Sequence, residues 1–450
     1  MKWRHAVLYL LVFCVVGGYF FYFEIVKKEQ KMAAEKEAKR LFRVAADSVE
    51  AIELHAKDKK PILLRKEGEW KLVEPVQAQA DRTVVEDLVR TLANLEFERQ
   101  VVSAAEDPAP YGLSEPSLKV RFRSGDTWME LLVGDKNPVG DGYFAKKADS
   151  PELFLIAVDE GRVLNRGVND LRRKQLFVFE PENVVGMKLV WQDGKSLEVK
   201  RNEQGTGWEI AGEPQVVVKD SKVRNAVEQV QWLRAKDFPE ENFGDLKFYG
   251  LDPPAVRVDL DLGAGRTAFL LVGQRGKEEK RVPVYSSELA CVAWVDSNFL
   301  ADLPKSARDL EDRSLVGVKP DEVQKADLRL GELRGQAVRM ENGWGLAGEE
   351  GKEPRNLKEP WQVRSLLWDL NQLEYVEKVE PAPPIPSEPH GRIRLWSADR
   401  LLATMSWNEG GEKGEKSLLV WVEKDGNLWA MRVKAEELEK VEKSLNRILR

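Results

Sequence analysis

The apolar positions of this chain fall into one long unbroken run and then a set of short patterns that come back three times. From Ala6 to Phe23 the sequence reads AVLYLLVFCVVGGYFFYF, eighteen residues without a charge. As a helix that run spans about 27 Å, enough to cross the hydrocarbon core of a bilayer. Bulky aromatics at Tyr19 to Phe23 stand where a signal peptide would carry small residues, and membrane helices tolerate a pair such as Gly17-Gly18. The run is therefore read as an uncleaved transmembrane anchor rather than a cleaved signal or a buried core helix. Residues 24 to 43 interleave Lys and Glu around Met32, Ala33, Ala34, Ala38 and Leu41, which predicts a charged helical stalk.

Beyond residue 43 the period changes. Each of three copies opens on a strand with alternating apolar residues: Ile52 and Leu54, then Met187 and Leu189, then Leu328 and Leu330. A second strand leads into a glycine turn and a tryptophan, at Trp70, Trp208 and Trp344, which are 138 and 136 residues apart. An amphipathic helix follows with the same face in every copy. Val85, Val89, Leu92 and Leu95 recur as Val223, Val227, Val230 and Leu233, and again as Val363, Leu367, Leu370 and Leu373. Asp81 and Asp220 stand just before the first two helices, where a carboxylate caps free backbone N–H groups. Tyr111-Gly112-Leu113 with Pro116 and Tyr249-Gly250-Leu251 with Pro254 mark a turn that the third copy lacks. Alternating strands resume at Leu118, Val120 and Phe122, at Val256, Val258 and Leu260, and at Ile393 and Leu395, and each copy closes on a final strand and a small helix.

The predicted fold class is α+β: an N-terminal transmembrane helix followed by three tandem repeats of a mainly antiparallel sheet with one packed helix. The expected organisation is an anchor and stalk over residues 1–43 and repeat modules over 44–178, 179–316 and 317–450, the last divergent. The stretch Glu380 to Pro386 is a stiff connection inside the third copy, and Gly410 to Lys416 is expected to be a mobile hairpin loop.

Composition narrows the chemistry. The formal net charge of −6 becomes −8 beyond residue 23, a field that opposes nucleic acid. Cys14 and Cys291 offer no internal disulfide framework, and Cys291 alternates with apolar neighbours as a core residue does. His5, His55 and His390 show no ligand spacing and read as ordinary surface residues, and no nucleophile elbow, metalloprotease helix or phosphate loop is present. Acidic pairs such as Glu240-Glu241 and Glu349-Glu350 are expected from 76 acidic residues by number alone. No catalytic residue, cofactor or metal ligand is nominated. Trp70, Tyr111, Gly112, Trp208, Tyr249, Gly250 and Trp344 are expected to carry structure. Trp361, Trp368, Trp407, Trp421 and Trp429 gather in the third copy and suit either core packing or a surface for a partner or saccharide.

The tryptophan after a glycine turn, the Asp-capped helix rich in valine and leucine, and the Tyr-Gly-Leu-x-x-Pro turn resemble the bacterial family catalogued as domain of unknown function 4340. The resemblance covers nearly all of residues 44 to 450 and is strongest in the first copy. It implies a single-pass inner-membrane protein with its large domain in the periplasm, associated with ABC-type transport systems similar to the gliding-motility auxiliary type. It brings no catalytic residues. Lys27, Lys28, Lys31, Lys36, Lys39, Arg40 and Arg43 outnumber Lys2 and Arg4, which on basic residues alone places the C-terminal part inside, and the two expectations conflict. The function expected is a non-enzymatic accessory or scaffold protein whose partners are the lipid bilayer and ABC-type transporter subunits. The alternative is a receptor-like module for a polymer such as a glycan, and a hydrolase is disfavoured.

Overall fold

The computed structural model describes Trp3, Phe13 and residues 34–103, 107–239, 245–274, 280–341, 343–347, 355–357, 359–409 and 416–450. Among them no helix is long and apolar enough to cross a membrane. Apart from Phe13, the apolar run from Ala6 to Phe23 lies outside the described residues, as do His5, Gly410 to Glu415 and the acidic pairs at 240–241 and 349–350.

Three sheets share one strand order. The first, in spatial sequence, is Ala78–Gln79, Glu69–Glu74, Ile62–Glu67, Val49–Ala56, Leu118–Ser124, Thr127–Lys136, Gly142–Lys147, Leu153–Ala157 and Arg99–Val102. The third repeats it strand for strand: Arg355–Asn356, Gly343–Leu346, Leu333–Met340, Lys325–Leu330, Gly391–Ser397, Arg400–Trp407, Ser417–Lys424, Asn427–Lys434 and Tyr375–Val379. The second keeps the central seven: Trp208–Ile210, Ser196–Arg201, Gly186–Trp191, Val256–Asp261, Thr267–Val272, Arg281–Ser286 and Cys291–Asp296. Of its two missing edge strands, the one matching Arg99–Val102 survives as an isolated bridge of Asp237 with Trp294. Pairing is antiparallel, as the alternation of single apolar residues predicts for sheets covered mainly on one face.

The main helices are α1 (Arg82–Ala93), α2 (Asp220–Gln231) and α3 (Trp361–Gln372). Each lies in the chain between the first meander and the second, so the path crosses from one sheet edge to the other through it. All twelve face positions read from the sequence are buried, from Val85 and Val223 at 0% exposed to Leu233 at 8%. Burying one such aliphatic side chain is worth about 1.5–3 kcal/mol, so a polar replacement in any of these faces would unseat its helix. Asp81 caps α1 by accepting from the Val84 N–H at 3.4 Å. Asp220 differs from the expectation, because α2 starts on it: the Lys219 carbonyl already accepts from the N–H groups of Lys222 and Val223. The closing helix of the third copy also departs from the small one expected. It is α4 (Ala435–Leu449), fifteen residues long, and buries Leu438, Val441, Leu445 and Ile448.

By contacts the chain divides into two compact units, Met1–Glu198 with Asn225–Leu303, and Val199–Arg224 with Pro304–Arg450. In the first, α1 and the first sheet enclose a core that includes Phe122, Trp70 and Leu131. In the second, α3, α4 and the third sheet enclose another that includes Trp344, Trp407 and Met405.

Candidate functional site

The segment that ends one module and starts the next is hydrogen-bonded on both sides. Leaving the first module, the Leu171 carbonyl accepts from the Asp81 N–H at 2.7 Å and the Arg173 N–H donates to the Gln79 carbonyl at 2.9 Å. Three residues later the same strand turns to the next partner: the Leu176 N–H donates to the Leu233 carbonyl, and the Lys174 carbonyl accepts from the Ala235 N–H at 2.7 Å. The pattern repeats around Leu310 to Leu315. Leu310 accepts from Lys219, Asp312 donates to Val217, Leu315 donates to Leu373 and Arg313 accepts from Tyr375. The stalk enters the first module in the same way. Helical turns over 34–39 stop at Arg40, which bridges Glu96, and the Leu41 N–H donates to Leu95.

Side chains fix the first of these segments. Ser286 Oγ donates to the Leu176 carbonyl at 2.7 Å, Glu288 accepts from the Val178 N–H at 2.6 Å, and Gln231 donates to the Phe179 carbonyl at 3.2 Å. Arg172 is only 4% exposed, with its guanidinium 3.9 Å from the ring centroid of Phe238. Burial lowers its pKa from the ordinary range, while the nearby Cys291 sulfur acts the other way. Burial in turn pushes the Cys291 thiol up despite Arg172 and Arg173, so the group stays protonated and is a poor nucleophile.

Beside this segment opens a cleft of about 960 Å³ with Trp70, Asp81, Arg82, Arg173, Val178 and Arg234 among its walls. Trp70 is buried at 7% exposed, Val178 is exposed, and Asp81 pairs with Arg234 at 3.5 Å. The charged side chains of the lining are the carboxylates of Asp47, Glu69, Asp81 and Glu86 and the cations of Lys66, Arg82, Arg90, Arg173 and Arg234. Elsewhere, His55 is 3.7 Å from Glu53 and His390 3.9 Å from Glu442. Among the described residues, no group of three or more His, Cys, Asp or Glu side chains is placed to hold a metal ion.

The remaining sequence-singled residues lie apart from the cleft. Trp208 and Trp344 are buried at 8% and 6% exposed. Gly112 and Gly250 have φ of +69° and +63°, the left-handed region that favours glycine, which turns Tyr111 and Tyr249 onto the sheet face away from the helix. There Tyr111 meets Phe144 edge-on at 5.0 Å, and Tyr249 packs on a cluster of Leu251, Leu271 and Val292. Each turn needs a second glycine that sequence reading missed. A Cβ at Gly134 would collide with the Tyr111 carbonyl, and one at Gly273 would stand 2.6 Å from that of Tyr249. The two are 139 residues apart, close to the repeat spacing, which is the signal that would have found them. In the third copy the proline-rich segment does this work: Trp421, 4% exposed, donates its indole N–H to the Pro383 carbonyl at 2.8 Å. Trp407 is fully buried and donates to Glu442 at 2.7 Å, and Trp429 is half-buried. Trp361 and Trp368 stand 58% and 60% exposed, seven residues apart on α3.

The family model described as "Domain of unknown function (DUF4340)" matches residues 70–242 and 208–390. Each match begins on a repeated tryptophan and runs past the next two main helices, so each contains one whole connecting segment. No curated protein matches. Among solved structures, the chain is similar to the DNA polymerase sliding clamp of Caulobacter crescentus at 11% identity, over 88% of this chain and 94% of that one, with a TM-score of 0.17. A DnaN sliding clamp of Pseudomonas aeruginosa bound to griselimycin aligns at 10% identity over the same shares with a TM-score of 0.15. Scores this low carry no argument about fold or role.

Proposed function

The chain belongs to the DUF4340 family, whose description states no activity, and we propose that it is a membrane-anchored, non-enzymatic accessory or scaffold protein of the bacterial cell envelope. In this reading residues 6 to 23 cross the inner membrane once, the modules stand in the periplasm, and the partner is a membrane protein of an ABC-type transport system. The observation that supports it is the connecting segment 171–176, hydrogen-bonded on both sides and bordered by a cleft rich in arginine and carboxylate side chains that suit contact with a partner. Tethering to the bilayer raises the effective concentration at which weak module contacts act. The contact surface assigned here is the α3 stripe of Trp361, Arg364 and Trp368, because exposed aromatic and arginine side chains are the usual anchors of protein interfaces.

Co-purification in mild detergent tests this directly. Transporter subunits should come down with the wild-type protein and be depleted by Trp361→Ala with Trp368→Ala. Recovery of the protein without any membrane partner would sink the proposal. A second reading, binding of a glycan, draws on the same stripe, since the two indoles lie about 10 Å apart along the helix and suit stacking on successive sugar rings. Retention on immobilised envelope polysaccharide that the double substitution abolishes would favour it.

A further inference from the structure

On the outer face of each sheet, one residue of the opening strand stands between two apolar neighbours and looks across at a partner on the adjacent strand. In the first sheet it is Glu53, opposite Arg121, which is in turn opposite Glu130. Glu53 and Arg121 approach to 3.5 Å. In the second sheet it is Lys188, opposite Asp259 and 2.8 Å from Glu198. Signs alternate across both rows, as they should, because like charges directly opposite one another on a sheet repel.

The third sheet breaks that rule. Arg329 is opposite Arg334 on one side and Arg392 on the other, three guanidiniums abreast on three neighbouring strands. Arg394 lies two positions along from Arg392. Among the described residues none of these four makes an ion pair. Asp327 is the acid among the residues that line the cavity over them, and it is already engaged by Gln336 at 2.6 Å and by the Trp396 indole at 3.2 Å. A cavity of about 420 Å³ opens over the row. Burial, then the charges of Arg394 and Arg329, depress the pKa of Arg392, with Glu423 acting the other way without reversing the shift. Beyond Arg392 the row reaches Ser406, opposite Trp421, so the proline-rich segment covers the rest of the face and leaves the arginine row open.

We propose that this row is a binding site for a multiply charged phosphate-class anion. At a strand spacing of about 4.8 Å the three guanidiniums span about 10 Å, and their planar forks suit the oxygens of a phosphate or diphosphate. One carboxylate cannot neutralise three such groups; a diphosphate can. The anion supplies the negative charge that Glu53 and Glu130, or Asp259 and Glu198, supply on the other two sheets.

The test uses the full chain in detergent, with thermal unfolding as the readout and three probes: inorganic pyrophosphate, water-soluble dihexanoyl phosphatidic acid, and penta-glutamate. Sodium sulfate at matched ionic strength is the control. Pyrophosphate should raise the unfolding temperature beyond sulfate, or the short-chain lipid should do so alone, which would assign the anion to a headgroup. The informative variant is Arg329→Glu, which restores alternation. It should unfold at a higher temperature than wild type without any anion and lose the response, a combination that a merely disrupted fold would not give. No response of wild type to either phosphate, a response undiminished in Arg329→Glu, or a response to penta-glutamate alone would each overturn the proposal.

Discussion

The two connecting segments, 171–176 and 310–315, have the same backbone bonds and opposite electrostatics. In the first, the acid stands before one main helix, α1, and the base after the next, α2: Asp81 pairs with Arg234. In the second, the corresponding positions hold Lys219 and Glu374, 3.6 Å apart, and Glu374 also takes Lys222 at 2.8 Å and Arg313 at 3.1 Å. The residue after the leucine reverses too. Arg172 lies over Phe238, whereas Glu311 accepts from the Tyr375 hydroxyl at 2.8 Å. Backbone geometry is therefore common to both segments and charge tells them apart. A strand offered to the wrong acceptor would meet its own sign, which is how series of similar parts avoid mispairing.

Removing that distinction should have its largest effect at Glu374, which is one-quarter exposed and ringed by three cations. Glu374→Lys should cost about 2–3 kcal/mol in chemical denaturation, since it leaves four like charges partly buried. Adding Lys219→Asp and Lys222→Asp, which gives the second segment the polarity of the first, should recover more than half. Failure to recover would mean that the ion pairs are incidental to the segment.

Tyr375 sharpens the comparison through pH. Burial, followed by the Glu311 hydrogen bond and charge, pushes its hydroxyl up to about 12. Below pH 10, where a free tyrosine is still protonated, its contribution is whole. As pH rises through 10 towards 12 the unfolded chain loses the proton first, so stability falls. Tyr375→Phe should lower stability by about 1 kcal/mol at pH 8 and flatten the decline above pH 10. A decline of unchanged steepness in the variant would assign it to other groups.

The smallest effect is expected at the first segment's pair. Arg234 is 56% exposed on its side chain, so Arg234→Ala should shift stability by about 0.5 kcal/mol and vanish into the salt background at high ionic strength.

What local periodicity encodes was legible. The three helix faces and the alternating strands came straight from spacing of 3.6 and 2, and the sheets carry them as read. The connecting segments were not legible, because Asp81 and Arg234 are 153 residues apart and a pair at that range leaves no periodic trace. Overlaying the copies does leave one, in the reversed signs at 81 and 219 and at 234 and 374. The length of α4 was hidden for another reason. Its apolar residues Leu438, Val441, Leu445 and Ile448 keep helical spacing, but the shorter endings of the first two copies set the expectation. The cleft arises only where the chain brings Trp70 beside Val178 and Arg234, so no single stretch announces it.

One bond near Ser286 has a consequence for motion. The Leu176 N–H is held by the Leu233 carbonyl while the Leu176 carbonyl takes the Ser286 hydroxyl, so the peptide units on both sides of this residue are each tied by a hydrogen bond. The chain is jointed here but not hinged. Exchange of the Leu176 amide with solvent deuterium should therefore follow cooperative opening of its surroundings, rather than the rapid local fraying that a tether between beads would show.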